Sequence, residues 1–325
     1  MLTQLERLGT IAAVARELRL TAPGVSMQIA ALEREVRLKL TERHGRLVSL
    51  TPAGRLLAGH GHTIVDLLSL AELEAVALRD GAAGSYRLAA FPSAARTFVA
   101  DSWQTLLTNP EFGLRLELAE LEPQDAVAAL QRGEVELAVT HAYSNMPLPS
   151  AGDLAASRIA SEMVWLAIHR DDELVAGQSS NPPDARPSAG PGDPAGWAAA
   201  PIDLRALAGR DWIVPHRRWT CYEMVQRACG LAGFEPRAVA EATDFAVILS
   251  LVNAGAGVAL IPELTIAQLP ENVVLHPLTA PVQRHNFVLT RKSTDTDPGL
   301  RRLRELLAAA ARKVLPHALP TVPMR

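Results

Sequence analysis

Cysteine is scarce in this 325-residue chain, which holds only Cys221 and Cys229. Neither has Cys or His partners at C-x2-C or H-x3-H spacing, so no zinc site is expected. His60 and His62 flank one glycine without a third ligand and read as solvated helix residues. No run of eighteen apolar residues occurs and no charged-then-apolar leader opens the chain, so a soluble protein that stays in the cytoplasm is expected, with no membrane partner. A Gly-rich phosphate loop and a G-x-S-x-G elbow are both missing. Nothing in these residues argues for catalysis, and no cofactor or metal is expected.

What is present is globular in balance, with 48% apolar and 21% charged residues, and long enough for two or three units. Charge is unevenly placed. Met1 to Ala58 carries nine Lys and Arg against five Asp and Glu, whereas the remainder carries 23 against 30. One basic end on an acidic protein is the footprint expected of phosphate contact.

That basic end contains two apolar series at helical spacing, Ile11, Val14, Ala15, Leu18 and then Val25, Ile29, Leu32, Val36. Between them Thr21 can cap orphan amides and Pro23 suits a first helical turn, so a tight helix-turn-helix is predicted. In that motif the opening turn of the second helix faces base edges in the major groove. The candidates there are Thr21, Ala22, Pro23, Gly24, Ser26, Met27 and Gln28. The small residues permit close approach, and Gln can pair with adenine through two hydrogen bonds. The competing reading is an ordinary helical hairpin in a core. A Gly-centred turn joining two short extended runs follows, over residues 38–54, which reads as a wing with Arg43 and Arg46 placed to meet phosphate or a minor groove.

AAVARELRLTAPGVSMQIAALERE, then LTERHGR and LTPAG, resembles the DNA-binding domain of the LysR-type transcriptional regulators. Two departures stand out. Thr41 occupies a place where the family tends to carry a bulky apolar residue, and the stretch before Ile11 is shorter than usual, so a clipped first helix over Leu2 to Leu8 is expected.

Leu57, Gly61, Ile64, Leu68, Ala71, Ala75 and Leu78 alternate fours and threes, a heptad seam with Asp66, Glu72 and Glu74 outside it. One long helix with a partner is implied, although packing on its own domain would also account for it. The resemblance favours the first, since the family pairs subunits through this linker helix into homodimers or homotetramers. Asp80 to Gly84 is read as a hinge.

From Ser85 strands alternate with helices, which implies a doubly wound α/β layer. Leu154–Ala160 and Met163–His169 read as two extended runs, the second leading into another lobe. Val273–Pro277 and Arg284–Thr290 read as the return, and Leu300–Val314 as a closing helix. The segment Gly177 to Pro201, with six prolines, reads as a disordered surface loop. AELEPQDAVAALQRGEVELAVTH and LVNAGAGVALIPEL resemble the two lobes of the LysR-type effector domain, which has a type 2 periplasmic-binding-protein fold. The expected architecture is therefore α/β, with a winged helix-turn-helix (1–55), a linker helix (56–80) and a two-lobed doubly wound effector domain (85–316). Lobe I is expected at about 85–162 and 270–316, and lobe II at about 163–269.

The resemblance implies a sequence-specific regulator acting on double-stranded promoter DNA, with RNA polymerase as a further partner and a small-molecule effector between the lobes. Ligands gather outside the carboxyl ends of strands. Ser93 follows the first strand at a helix N-terminus, where similar regulators hold an inducer carboxylate, so an anionic effector is expected. Ser93 capping its own helix is the alternative. Thr97 lies a turn later; His141 follows the third strand; Pro215, Arg218 and Thr220 follow a strand of lobe II. Arg218 could pair with an acidic effector or belong to a solvated basic turn. Thr243 ends another strand and most resembles a helix cap. Two rivals remain. One is a redox-responsive regulator using Cys221 and Cys229, whose separation on a helix, about 12 Å, exceeds the roughly 4.4–6.8 Å of a disulfide. The other is a solute-binding protein without regulatory function.

Overall fold

A computed structural model describes residues 1–44, 47–61, 64, 65, 68, 84–146, 152–176 and 200–315. The chain divides into two compact units, Met1–Arg79 and Asp80–Arg325. In the first, α1 (Leu2–Leu8) stops at Gly9, whose φ of 68° suits glycine, and α2 (Ile11–Glu17) starts at Thr10, whose hydroxyl accepts the Ala13 amide at 3.2 Å. Then come α3 (Ala22–Val36), the antiparallel hairpin β1 (Thr41–His44) and β2 (Leu47–Leu50), and α4 from residue 52 to 61. Leu2, Leu5, Val14, Val25, Ile29, Leu40, Leu50 and Ala58 form the core. Gly54, in the L-T-P-A-G stretch, lies so close to the hairpin that a Cβ there would stand 2.1 Å from the Leu40 carbonyl oxygen. Of the heptad seam, Leu57 packs partly buried against this core, as the reading of a helix packed on its own domain expects, Gly61 is half-buried, and Ile64 and Leu68 are helical and exposed; Ala71, Ala75 and Leu78, with Asp66, Glu72, Glu74 and the hinge before Gly84, lie outside the described residues.

The second unit is built on two sheets that share strands. In lobe I the order is β4 (Leu114–Glu120), β3 (Gly84–Ala90), β5 (Leu137–Tyr143), β11 (Gln283–Arg291), β6 (Leu154–His169); the first three are parallel and the last two run against their neighbours. The parallel strands are joined by two helices. The first, α5, runs Pro92–Ala94, turns through a π-helical stretch at Ala95–Val99 and continues as Ala100–Thr108; the second is α6 (Pro123–Gln131). In lobe II the far half of β6 pairs with β10 (Val273–His276) on one side and β9 (Ala259–Pro262) on the other. Beyond β9 a bridge from Val258 to Trp212 adds β7 (Asp211–Pro215), parallel to β8 (Arg237–Ala242). Helices α7 (Thr220–Leu231) and α8 (Phe245–Asn253) pack on this sheet, and α9 (Pro298–Val314) closes the chain against lobe I.

Two expectations need correction. Leu154–Ala160 and Met163–His169 are one 16-residue strand, because Ser161 and Glu162 are paired to β11 rather than turning the chain; a register shift near Ile159 supplies the twist. β10 belongs to lobe II, pairing Val273 with His169, so the chain re-enters lobe I only with β11. Residues 177–199 of the proline-rich segment lie outside the described residues.

Candidate nucleic-acid interface and interlobe site

α3 begins as the sequence predicts: the Thr21 hydroxyl accepts the Gly24 amide at 3.2 Å, and Pro23 occupies the first turn. Val25 and Ile29 are buried, while Pro23, Ser26, Met27, Gln28, Ala30 and Arg34 are exposed. Met27 is 71% exposed. One face of the helix thus closes the core and the other presents Ser and Gln hydrogen-bonding groups on a stripe of small residues.

The helix is tied to the wing by Glu33. Its Oε1 accepts the amides of Leu40 and Thr41 at 2.9 and 3.0 Å and the Thr41 hydroxyl at 3.1 Å, and Lys39 Nζ donates to Oε2 at 2.9 Å. Burial works against the charge, but Lys39 and these donors prevail and lower the Glu33 pKa to about 2. A threonine at position 41 therefore does what a bulky apolar residue could not, adding a hydroxyl to the carboxylate's shell. Arg43 lies on β1 and its side chain is outside the described residues, as is Arg46.

Between the lobes, sheet register assembles a polar plate. Tyr143, Arg284 and Glu162 are cross-strand neighbours in one row, and His141, Asn286 and Ala160 in the next, all on one face because alternate residues share a face. Arg284 and Glu162 have side chains 1% and 0% exposed, and they pair through Nε and Oε1 at 2.8 Å. Asn286 Nδ2 donates to the same oxygen at 3.0 Å, and the Leu264 amide donates to Oε2 at 2.6 Å. Arg284 Nη2 donates to Ser93 Oγ at 3.1 Å, and the guanidinium lies 5.1 Å from the centre of the Phe91 ring. His141 meets Phe91 and Tyr143 edge-on, with ring centres 4.7 and 5.2 Å away.

Lobe II reaches this plate through the first turn of α7, where Cys221 Sγ lies 3.0 Å from Tyr143 Oη. Asn145 Nδ2 also donates to the Met224 carbonyl at 3.0 Å, and Arg96 Nη2 to the Thr265 carbonyl at 3.0 Å. Burial, reinforced by Arg284, lowers the His141 pKa and keeps the ring neutral; burial pushes the Cys221 thiol up to about 11 and the Glu122 carboxyl to about 7. His141 Nδ1, Asn286 Oδ1 and Thr220 Oγ1 are buried with no hydrogen-bond partner among the described residues. Unmet polar atoms at a lobe boundary are costly unless something else meets them.

Comparison with known proteins decides the family. Residues 1–55 match the model of bacterial regulatory helix-turn-helix proteins of the lysR family, and residues 189–312 match the LysR substrate binding domain. The chain is 30% identical over 251 residues to the HTH-type transcriptional regulator IlvR of Caulobacter vibrioides, covering 76% of this chain and 75% of that one. The chain belongs to the LysR family of transcriptional regulators. A full-length point variant of OxyR from Pseudomonas aeruginosa shares its fold with a TM-score of 0.61 at 19% identity, over 99% of this chain and 96% of that one. Full-length CbnR in complex with its target DNA gives 0.52 at 21% identity, over 95% and 97%.

In this LysR-family regulator the candidate effector residues part company. Ser93 and His141 belong to the interlobe plate, Thr220 directly precedes the Cys221 that touches it, and Pro215 is buried at the end of β7. Thr97 is not available, since its hydroxyl donates to the Ser93 carbonyl at 2.6 Å, back-bonding within α5. Thr243 is exposed and is not the cap of α8; Asp244 is, accepting the Ala246 amide at 2.8 Å. Arg218 is exposed, and its neighbour Arg217 is held by Glu241 at 3.0 Å. The redox rival fails on burial, since both thiols are buried and Cys229 is pushed up to about 12, leaving almost no thiolate. Missed from sequence were Glu162, Arg284 and Asn286. The signal was available: one acid in the run Ile159–Ile168, and polar residues at 284 and 286, two apart on a strand.

Proposed function

We propose that this regulator reads paired operator half-sites with the opening turn of α3, and that a small molecule taken between the lobes sets promoter activity. The single observation that carries the first part is the two-faced α3, with Val25 and Ile29 in the core and Ser26, Met27 and Gln28 outside. The basic balance of the first 58 residues supports it. Exposed Ile64 and Leu68 on the seam favour pairing of two chains, which gives two reading helices for two half-sites. The second part rests on the unmet atoms of His141 and Asn286 on the plate where the lobes meet. An effector acts by preferring one arrangement of the lobes over another, and it can shift promoter activity only by that difference in affinity.

Regulation without turnover fits the plate. Tyr143 and Cys221 both have pKa values raised by burial, so neither is an activated nucleophile. No described helix is long and apolar enough to cross a membrane, and the site of action is the cytoplasm, beside the DNA, with RNA polymerase as the further partner. Band-shift titration against the protein's own upstream region tests the reading: a sequence-selective complex weakened by salt is expected, and its absence at low salt would refute it.

A further inference from the structure

The Glu162 carboxylate has the surroundings of a bound anion. Two side-chain donors, Arg284 Nε at 2.8 Å and Asn286 Nδ2 at 3.0 Å, meet one oxygen, and a backbone donor, the Leu264 amide at 2.6 Å, meets the other. A guanidinium, a carboxamide and a backbone amide converging on two oxygens is how a protein recognises a free carboxylate. Here the carboxylate comes from the chain itself, on the strand that crosses between the lobes.

The buried cations among the described residues are Arg284 and Arg291, and Arg291 Nη1 donates to the carbonyls of Leu130 and Val135 at 2.9 Å each. Arg284 also donates to Ser93. The acceptor atoms of the plate without a partner among the described residues are Asn286 Oδ1 and His141 Nδ1, which can accept. Glu122, close enough to feel Arg284, adds acidic character. A ligand meeting these acceptors donates hydrogen bonds to them, while Arg284 keeps N–H groups beyond those given to Glu162 and Ser93.

We infer that the interlobe plate is a carboxylate-binding site filled from within by Glu162, so that in the wild-type protein a free carboxylate, an effector's included, does not take this position. Ser93, expected to meet an effector carboxylate, accepts a hydrogen bond from Arg284 through its hydroxyl oxygen. The occupancy of the site stands on geometry alone; the consequence for the effector rests on the interlobe reading proposed above.

Removing Glu162 beyond Cβ leaves a space matching one acetate ion, which makes rescue the test. The full chain is melted in sodium acetate, in sodium chloride at equal ionic strength, and in acetamide, as wild type, Glu162→Ala and the double variant Glu162→Ala/Arg284→Met. Wild type is expected to melt alike in acetate and chloride. Glu162→Ala should melt lower and recover by about 2–4 °C in acetate, saturably and not in acetamide. The double variant, with neither charge, should not respond. If Glu162→Ala does not fold in chloride, its refolding yield in acetate against chloride is the same readout. Absence of acetate-specific recovery in either readout overturns the proposal, as does a saturable acetate stabilisation of wild type that the double variant loses. No DNA is present in this experiment, so failure of the regulator reading, seen in the band shift, would leave its result standing.

Discussion

Tyr143 of lobe I and Cys221 of lobe II meet at 3.0 Å, hydroxyl to thiol, buried on both sides. The contact joins the last residue of β5 to the first turn of α7 and so bridges the two lobes. With the thiols of Cys221 and Cys229 at about 11 and 12, both should resist alkylation at pH 8 in the native protein and react fully in denaturant. Mass spectrometry after timed iodoacetamide treatment measures this, and peroxide should leave DNA binding unchanged.

The winged unit should be sensitive to acid through Glu33. Its folded pKa of about 2 lies below the ordinary 4.5, so it contributes stability that is present above pH 4.5 and is lost as pH falls toward 2. Glu33→Gln should flatten that dependence, measured by thermal melts between pH 2 and 6. Thr41→Val, which removes one of the four contacts, should cost about 1 kcal/mol.

The opposite sign applies at Glu122. A folded pKa of about 7 against 4.5 gives a contribution that is full below pH 4.5 and lost as pH rises through 7. Glu122→Gln should therefore narrow the gap in melting temperature between pH 5 and pH 8, as calorimetry of the two proteins would register.

Gly54→Ala should destabilise the winged unit by about 1–3 kcal/mol, because its Cβ would overlap the Leu40 carbonyl, a backbone atom that cannot swing away. Urea unfolding followed by circular dichroism gives the value.

How far the sequence reaches depends on how local the cause is. The helix-turn-helix was legible because Thr21, Pro23 and the spacing Val25, Ile29, Leu32, Val36 act within a few residues. The two-lobed α/β order was legible from alternating elements together with the family resemblance. The plate was not, because Glu162 and Arg284 are 122 positions apart and become neighbours only through the register of β6 and β11. Thr97 and Thr243 misled for the reverse reason: a free hydroxyl beside a strand end looks the same in sequence whether it faces a ligand, its own helix or solvent.

The central claim is that the opening turn of α3 reads DNA. Footprinting on the protein's own upstream region, with wild type and with Ser26→Ala and Gln28→Ala, tests it most directly. Two protected half-sites one or more helical turns apart are predicted for wild type, with selectivity over unrelated DNA falling at least about tenfold in the variants while their melting temperatures hold. Protection that is unchanged by both substitutions would contradict it.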